Sequence, residues 1–362
     1  MAPPPRQAFA HEKVAYSTAY AFSLRHSELS LASRLYRRFF GLMTPLPSLA
    51  EIEAARPAIE SVIPPTPQFS WPLLNARLGA ELWVKHENHT AVGAFKIRGA
   101  YHYLSRLRSR EPALRGVIAA TRGNFGQAVA FAAARLGLAA TIVTPHGNSV
   151  EKNLAMRALG AELIEHGPDF QAALDHAEQL ARDRRLHYVP SYHRDLVCGN
   201  AVSALDFLRH APPLDRVYAP IGLGSCLCAL LAARDALGLP TEIVGVAADR
   251  APAHALSFAQ RRPVSHPAAT RIADGMASSR PVPEALDHML AGVARLVCVT
   301  DDEIEAAMRA YFSDTHNLAE GAAGAGLAAV LQERAQLAGR RIGVVFTGGN
   351  VDAAVFARVL AG

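Results

Sequence analysis

Cysteine is scarce in this chain, and its scarcity excludes two architectures at once. Four residues among 362, Cys198, Cys226, Cys228 and Cys298, form neither a disulfide framework nor a paired zinc-ligand pattern. Cys226-Leu227-Cys228 has no second Cys or His pair beside it in a ribbon pattern. Buried thiols in a reducing cytoplasm are the expectation. No apolar run is long enough to cross a bilayer, so no membrane span is expected. Aromatics make up only 7%, and the basic residues behind the net charge of +5 are scattered as single arginines. The densest basic cluster, Arg34, Arg37 and Arg38, lies near the N-terminus. Without a basic stripe interleaved with aromatics, nucleic acid is not an expected partner, and mild basicity suits an anionic small molecule equally well. Internal repeats and low-complexity tracts are also missing.

What is present is a large apolar fraction, 50% of the chain, enough for a sizeable core split into two lobes. Residues 1–42 stand apart. They carry Pro3-Pro4-Pro5, several Arg and Ser, and few acids (Glu12, Glu28). They read as an N-terminal extension, disordered or not native: an organellar transit peptide or a translated upstream stretch. Met43, followed by Thr44-Pro45-Leu46-Pro47-Ser48-Leu49-Ala50-Glu51-Ile52, is the expected functional start.

From about residue 80, short apolar runs alternate with amphipathic stretches. Strands are expected at 82–86, 116–120, 140–144, 162–165, 187–190, 216–220, 242–247, 296–300 and 341–346. Helices are expected at 127–136, 151–159, 225–237, 302–312 and 319–333, among others. Val- and Ile-rich strands separated by helices predict an α/β fold with mostly parallel sheets. In such folds ligands sit beyond the carboxyl ends of strands.

Four turns could build one site. Lys96 follows Phe95 and enters a Gly-flanked helical start, Phe95-Lys96-Ile97-Arg98-Gly99-Ala100. Held out of water it would lose proton affinity and could form an imine with an aldehyde; alternatively its stem packs on Phe95 and its head stays in solvent. Thr121-Arg122-Gly123-Asn124-Phe125-Gly126-Gln127 follows a strand and opens a helix, an anion-binding geometry or an ordinary turn. Gly222-Leu223-Gly224-Ser225 is a phosphate cradle by type, although it meets neither the dinucleotide fingerprint nor the P-loop pattern. Thr347-Gly348-Gly349-Asn350 places a neutral hydroxyl after the last strand. Glu320 opens a Gly/Ala-rich helix, where its charge would favour the N-terminus.

In order and spacing these segments resemble the fold-type II pyridoxal-phosphate enzymes, the threonine/serine dehydratases and their relatives (tryptophan synthase β-like superfamily). The resemblance runs from about Pro65 to Asn350. Besides the four turns it includes Pro65-Thr66-Pro67, Val84-Lys85-His86-Glu87-Asn88, Lys152 through Gly160-Ala161-Glu162, and Ile272-Ala273-Asp274-Gly275. It implies two domains, each an open, mostly parallel sheet flanked by helices. Residues 43–115 and 191–362 would form a large cofactor-binding domain, and 116–190 a small mobile one. It implies pyridoxal 5'-phosphate as cofactor and a homodimer or larger homo-oligomer. Lys96 would hold the cofactor as an imine and, once freed, remove the substrate's α-proton. Phe95 would flank it; Gly222, Leu223, Gly224 and Ser225 would wrap its phosphate; Asn124 would bond the ring hydroxyl. Thr347 would contact the pyridine nitrogen, and Glu320 would stand behind the site. The 122–127 loop (Arg122, Gly123, Asn124, Phe125, Gly126, Gln127) would take the amino-acid substrate.

The chain departs from that pattern at several points. Racemising relatives carry Ser directly before Gly-Asn, where this chain has Arg122. Phe125 stands where His is usual, and Leu223 and Ser225 replace two glycines of the phosphate loop, with Cys226 following. A divalent metal site cannot be carried over. The implied reaction is dehydration and deamination of a 2-amino-3-hydroxy acid such as L-threonine or L-serine to a 2-oxo acid and ammonia. Arg122 hints at an acidic substrate such as 3-hydroxyaspartate, Phe125 at an aromatic one such as phenylserine. A β-replacement synthase and a scaffold that has lost its cofactor are the other readings.

Overall fold

A computed structural model describes residues 44–362. The extension at 1–42 and the proposed start at Met43 lie outside the described residues. Ten strands are β1 (Gln68–Ser70), β2 (Glu81–His86), β3 (Gly116–Ala120), β4 (Ala139–Thr144), β5 (Glu162–Glu165), β6 (His187–Tyr188), β7 (Arg216–Pro220), β8 (Glu242–Ala248), β9 (Arg295–Val299) and β10 (Arg341–Phe346). The helices up to residue 210 are α1 (Leu49–Glu60), α2 (Pro72–Leu78), α3 (Lys96–Arg110), α4 (Asn124–Arg135), α5 (Val150–Ala158), α6 (Phe170–Asp183) and α7 (Arg194–His210). They are followed by α8 (Ser225–Ala236), α9 (Ala253–Gln260), α10 (Pro283–Gly292), α11 (Asp301–Thr315), α12 (Gly321–Gln332) and α13 (Ala353–Ala361).

The strands form two sheets. One has the order β1-β2-β10-β7-β8-β9, the other β5-β4-β3-β6. Every pairing is parallel except that of β1 with β2. The expected α/β class and parallel sheets are therefore what the chain adopts. All nine expected strands are present, with β6 two residues shorter than expected. β1 was not expected: three residues, Gln-Phe-Ser, are too few to show an alternating pattern, and none is β-branched. Central strands such as β3 (Gly-Val-Ile-Ala-Ala) are buried along their whole length, which is why they read as continuous apolar runs.

The sheet order is what assembles the site. β2, β10 and β7 are neighbours, although β10 lies at the far end of the sequence. Because they run parallel, their carboxyl ends lie on one side. The segments after them carry Lys96, Thr347 and Gly222–Ser225 respectively, which the sheet thus sets side by side.

Two buried histidines tie the fold to pH. His86, at the end of β2, accepts a hydrogen bond from Trp71 Nε1 at 3.0 Å, so its proton is on Nδ1, facing Asn88 Oδ1 at 3.2 Å. Burial, reinforced by neighbouring His89, pulls its pKa from 6.5 down to about 4. His254 in α9 is 2% exposed, and burial lowers it to about 4 as well. As pH falls from 6.5 toward 4, the unfolded chain binds protons that the folded chain refuses. Stability present above pH 6.5 is therefore lost on acidification, by about 1.4 kcal/mol per pH unit for each histidine. Between about pH 6.5 and pH 5 these two histidines should together contribute a loss of about 3 kcal/mol in urea denaturation, and His254→Leu should remove roughly half of that contribution.

Candidate active site

Lys96 is the first residue of α3, and its position is over-determined. Upstream, the Phe95 amide donates to the Thr347 carbonyl at 3.0 Å, and Ala94 bridges Gly348. Downstream, Arg98 is 1% exposed and its Nε donates to Glu87 Oε2 at 2.9 Å. Its remaining nitrogens donate to the carbonyls of Ile63 (3.1 Å) and Pro64 (3.0 Å). Glu87 is equally buried and also accepts from Thr66 and Ser203, each at 2.5 Å. A buried guanidinium satisfied on every side cannot shift without stranding a charge. The helix start, and Lys96 with it, is pinned from both directions.

The Lys96 side chain is half-buried. Its amine lies over the Phe95 ring, 4.8 Å from the centroid. Burial lowers its proton affinity, Glu320 opposes that shift, and the positive charge of Lys152 adds to it. Features of both expected behaviours are present: the amine lies over Phe95, and burial of the half-exposed side chain lowers its proton affinity.

Glu320 precedes α12, but its side chain caps nothing there. At 2% exposure, its Oε1 accepts from Asn124 Nδ2 at 2.6 Å and its Oε2 from Lys152 Nζ at 3.3 Å. Lys152 also donates to Asp274 Oδ2 at 2.6 Å. Burial raises the Glu320 carboxyl above its ordinary range, Lys152 opposes that, and Asp274 adds to it. Despite its own burial, Lys152 is held above its ordinary value by Asp274 and Glu320. A side chain at Gly123 would overlap the stem of Lys152, so glycine there is what lets the lysine pass beneath the loop. Asn350 Nδ2 completes the cluster, donating to Asn124 Oδ1 at 2.9 Å and to the Val92 carbonyl at 2.8 Å. Asn124 thus has one amide hydrogen left for a ligand.

Two helix N-termini open onto this region. In α8 the first intrahelical bond is Cys228 N–H to Gly224 O, which leaves the amides of Ser225, Cys226 and Leu227 available. In α4 it is Gln127 N–H to Gly123 O, which leaves those of Asn124, Phe125 and Gly126. The turn before α8 is packed backbone to backbone: a Cβ at Gly222 would lie 2.5 Å from the Gly275 carbonyl oxygen. The 272–275 segment is thereby wedged beside the cradle, and it carries Asp274 to Lys152.

These residues fit pyridoxal 5'-phosphate on three observations. Thr347 Oγ1 is buried with no partner among the described residues, as a hydroxyl waiting for a ring nitrogen would be. Free helix-start amides face the place of a phosphate. The lysine amine is desolvated. Gly222, Leu223, Gly224 and Ser225 would hold the phosphate, Thr347 the ring nitrogen, and Lys96 the aldehyde carbon.

Among the residues expected to take substrate, Arg122 is half-buried. Phe125 (7% exposed) belongs to the main hydrophobic core, and Gln127 is buried. Lys152, Asp274, Asn350, Glu87 and Arg98 were not assigned roles from sequence. They lie in stretches that carry the resemblance, but Lys152 meets its partners across 122 and 168 residues, and spacing carries no sign of that.

Two substitutions probe this geometry. Arg98→Ala leaves Glu87 buried without its cation and should cost about 3–5 kcal/mol in urea denaturation. Gly222→Ala must push the Gly275 backbone aside, at about 1–3 kcal/mol, and should weaken cofactor retention in a dialysis and absorbance assay.

Comparisons with known proteins place this geometry among relatives. Over 314 residues the chain is 29% identical to the L-threonine ammonia-lyase of Thermotoga maritima, covering 86% of this chain and 78% of that one. Over 318 residues it is 30% identical to the L-threo-3-hydroxyaspartate ammonia-lyase of Saccharomyces cerevisiae, covering 88% and 97%. The processed form of threonine deaminase isoform 2 from Solanum lycopersicum superposes with a TM-score of 0.81 at 27% identity, over 89% of this chain and 98% of that one. The family model described as pyridoxal-phosphate dependent enzyme matches residues 59–348, and the chain, with its desolvated Lys96 and unpartnered Thr347 hydroxyl, belongs to that family.

Proposed function

We propose that this protein is an ammonia-lyase that removes water and then ammonia from a 2-amino-3-hydroxy acid, leaving a 2-oxo acid. The observation that carries the reading is the Lys96 amine, desolvated over Phe95 and facing the charges of Glu320 and Lys152. Pyridoxal 5'-phosphate, when bound, supplies an aldehyde for the substrate amine and a ring that accepts electron density from the α-carbon. The neutral Thr347 hydroxyl does not protonate the ring nitrogen as an acid would. The ring is then a modest electron sink, suited to prompt loss of the β-hydroxyl.

The chain's own groups do the rest. Lys96 Nζ, once free, takes the α-proton, and its lowered proton affinity brings it nearer to working pH. The amides of Asn124, Phe125 and Gly126 orient the α-carboxylate, and positioning of this kind removes much of the barrier. The β-hydroxyl leaves as water. A water molecule then returns in hydrolysis of the enamine product, so substrate equals 2-oxo acid plus ammonia in atom count. Two relatives named as ammonia-lyases, at 29% and 30% identity, support elimination over β-replacement or a scaffold without turnover.

Three coarser expectations join this reading. Residues 116–190, whose strands form a sheet of their own, would move as a small domain against 43–115 and 191–362. A cytoplasmic location agrees with four free cysteines, three of them buried, and no described helix is long and apolar enough to cross a membrane. A homodimer or larger homo-oligomer is expected from the resemblance and is open to sedimentation analysis.

Purified wild-type protein should show a violet absorbance band and release ammonia and keto acid from a panel of β-hydroxy amino acids. Lys96→Ala should lose the band, and turnover should fall by ~1,000-fold or more. A Lys96→Ala protein that keeps both the colour and the rate would sink the proposal.

A further inference from the structure

We propose that Arg122 is the specificity residue of this site, and that the preferred substrate carries a second carboxylate on its β-carbon, as 3-hydroxyaspartate does. The inference rests on the elimination reading above and sharpens it.

Among the described residues, three arginines have a buried side-chain nitrogen without a hydrogen-bond partner: Arg56, Arg122 and Arg216. Arg56 holds Glu53 and Glu60 through its other nitrogens, and Arg216 holds Glu242. Arg122 has no ion pair or hydrogen bond from its guanidinium to any described residue, and the nitrogen left bare is Nε. Removing part of a guanidinium from water without a partner is costly, and an anionic ligand would offset that cost.

The loop is rigid enough to present it. The Thr121 amide donates to the Val143 carbonyl at 3.0 Å, and the Gly123 amide donates to Thr121 Oγ1 at 3.0 Å. Arg122 is held between these bonds, immediately before the open amides of α4. Two acids of the candidate site, Asp274 and Glu320, both pair with Lys152 and not with Arg122. One loop therefore offers two anion sites, backbone amides for the α-carboxylate and a planar fork of N–H donors for a second one. Threonine's methyl group would leave that fork empty. An aromatic substrate gains nothing from Phe125, whose ring is buried in the core. The reaction balances as before, with 3-hydroxyaspartate giving oxaloacetate and ammonia.

The test compares 3-hydroxyaspartate (threo and erythro), L-threonine and L-serine on wild-type holoenzyme and on Arg122→Gln and Arg122→Lys. Wild type should favour a 3-hydroxyaspartate over threonine in kcat/KM by on the order of tenfold or more. Arg122→Gln should lower kcat/KM for 3-hydroxyaspartate, mainly through KM, by a factor on the order of tenfold greater than for threonine, and Arg122→Lys should recover part of the loss. Calorimetry gives a readout without turnover: succinate should bind wild type more tightly than butyrate, and the difference should vanish in Arg122→Gln. Equal losses on both substrates would mean that Arg122 holds the α-carboxylate, and a wild-type preference for threonine would also overturn the proposal. If no β-hydroxy acid releases ammonia, the elimination reading fails; the succinate measurement still decides the Arg122 site, and equal binding of succinate and butyrate refutes it.

Discussion

One carboxylate out of water holds this site together. Glu320 stands at the start of a helix packed on the larger sheet, yet its two oxygens face outward to Asn124 and Lys152, which follow strands of the smaller sheet. A buried acid contributes to specificity of structure only if each lone pair finds a donor. Here an amide and an ammonium provide that, and Asp274 shares the ammonium. The arrangement has a direct chemical consequence. The same carboxylate that binds Asn124 and Lys152 opposes the loss of proton affinity at Lys96, while Lys152 promotes it. Burial sets the direction of the Lys96 shift, and the charges that join the two sheets adjust it. Any movement that separated Lys152 from Glu320 would retune Lys96 at the same time.

A second buried pair has a different task. Arg98 and Glu87 lie beneath the Lys96 helix and are matched by hydroxyls and carbonyls at every edge. This pair makes no contact that chemistry needs; it fixes where the helix begins. Removing both partners together would cost far less than removing one, because the expense lies in the stranded charge. The site therefore rests on one buried ionic node that tunes the amine and another that places it.

Much of this was legible in the sequence, for a physical reason. Turns that bind anions use glycine, but so do ordinary turns; Phe95–Lys96, Gly222–Ser225 and Thr347–Asn350 are each weak signals alone and become legible through their order and spacing. The parallel α/β class followed from strands buried on both faces. What sequence hid was pairing. Lys152 and Asp274 stand in separate stretches of the resemblance with no role of their own; only the fold brings them together. By sequence Glu320 is either a charge favouring its own helix or a residue behind the site; its partners, Asn124 and Lys152, lie across the sheets, and spacing carries no sign of them. β1 escaped because three residues carry no period.

Arg122 shows where the two kinds of evidence meet. The sequence marks it as a departure, a long cation where racemising relatives have a small hydroxyl. Its Nε is buried and bare beside a row of open amides, and no described residue pairs with its terminal nitrogens, which are left for a partner from outside the protein. The buried cations Lys85, Arg98 and Lys152 each have a carboxylate in the structure. A positively charged group that is half out of water and has no such partner in the protein is most simply completed by a negative charge that arrives with the substrate. On that argument the loop that departs from the racemising pattern also narrows the substrate, because its guanidinium is a group that recognises carboxylate.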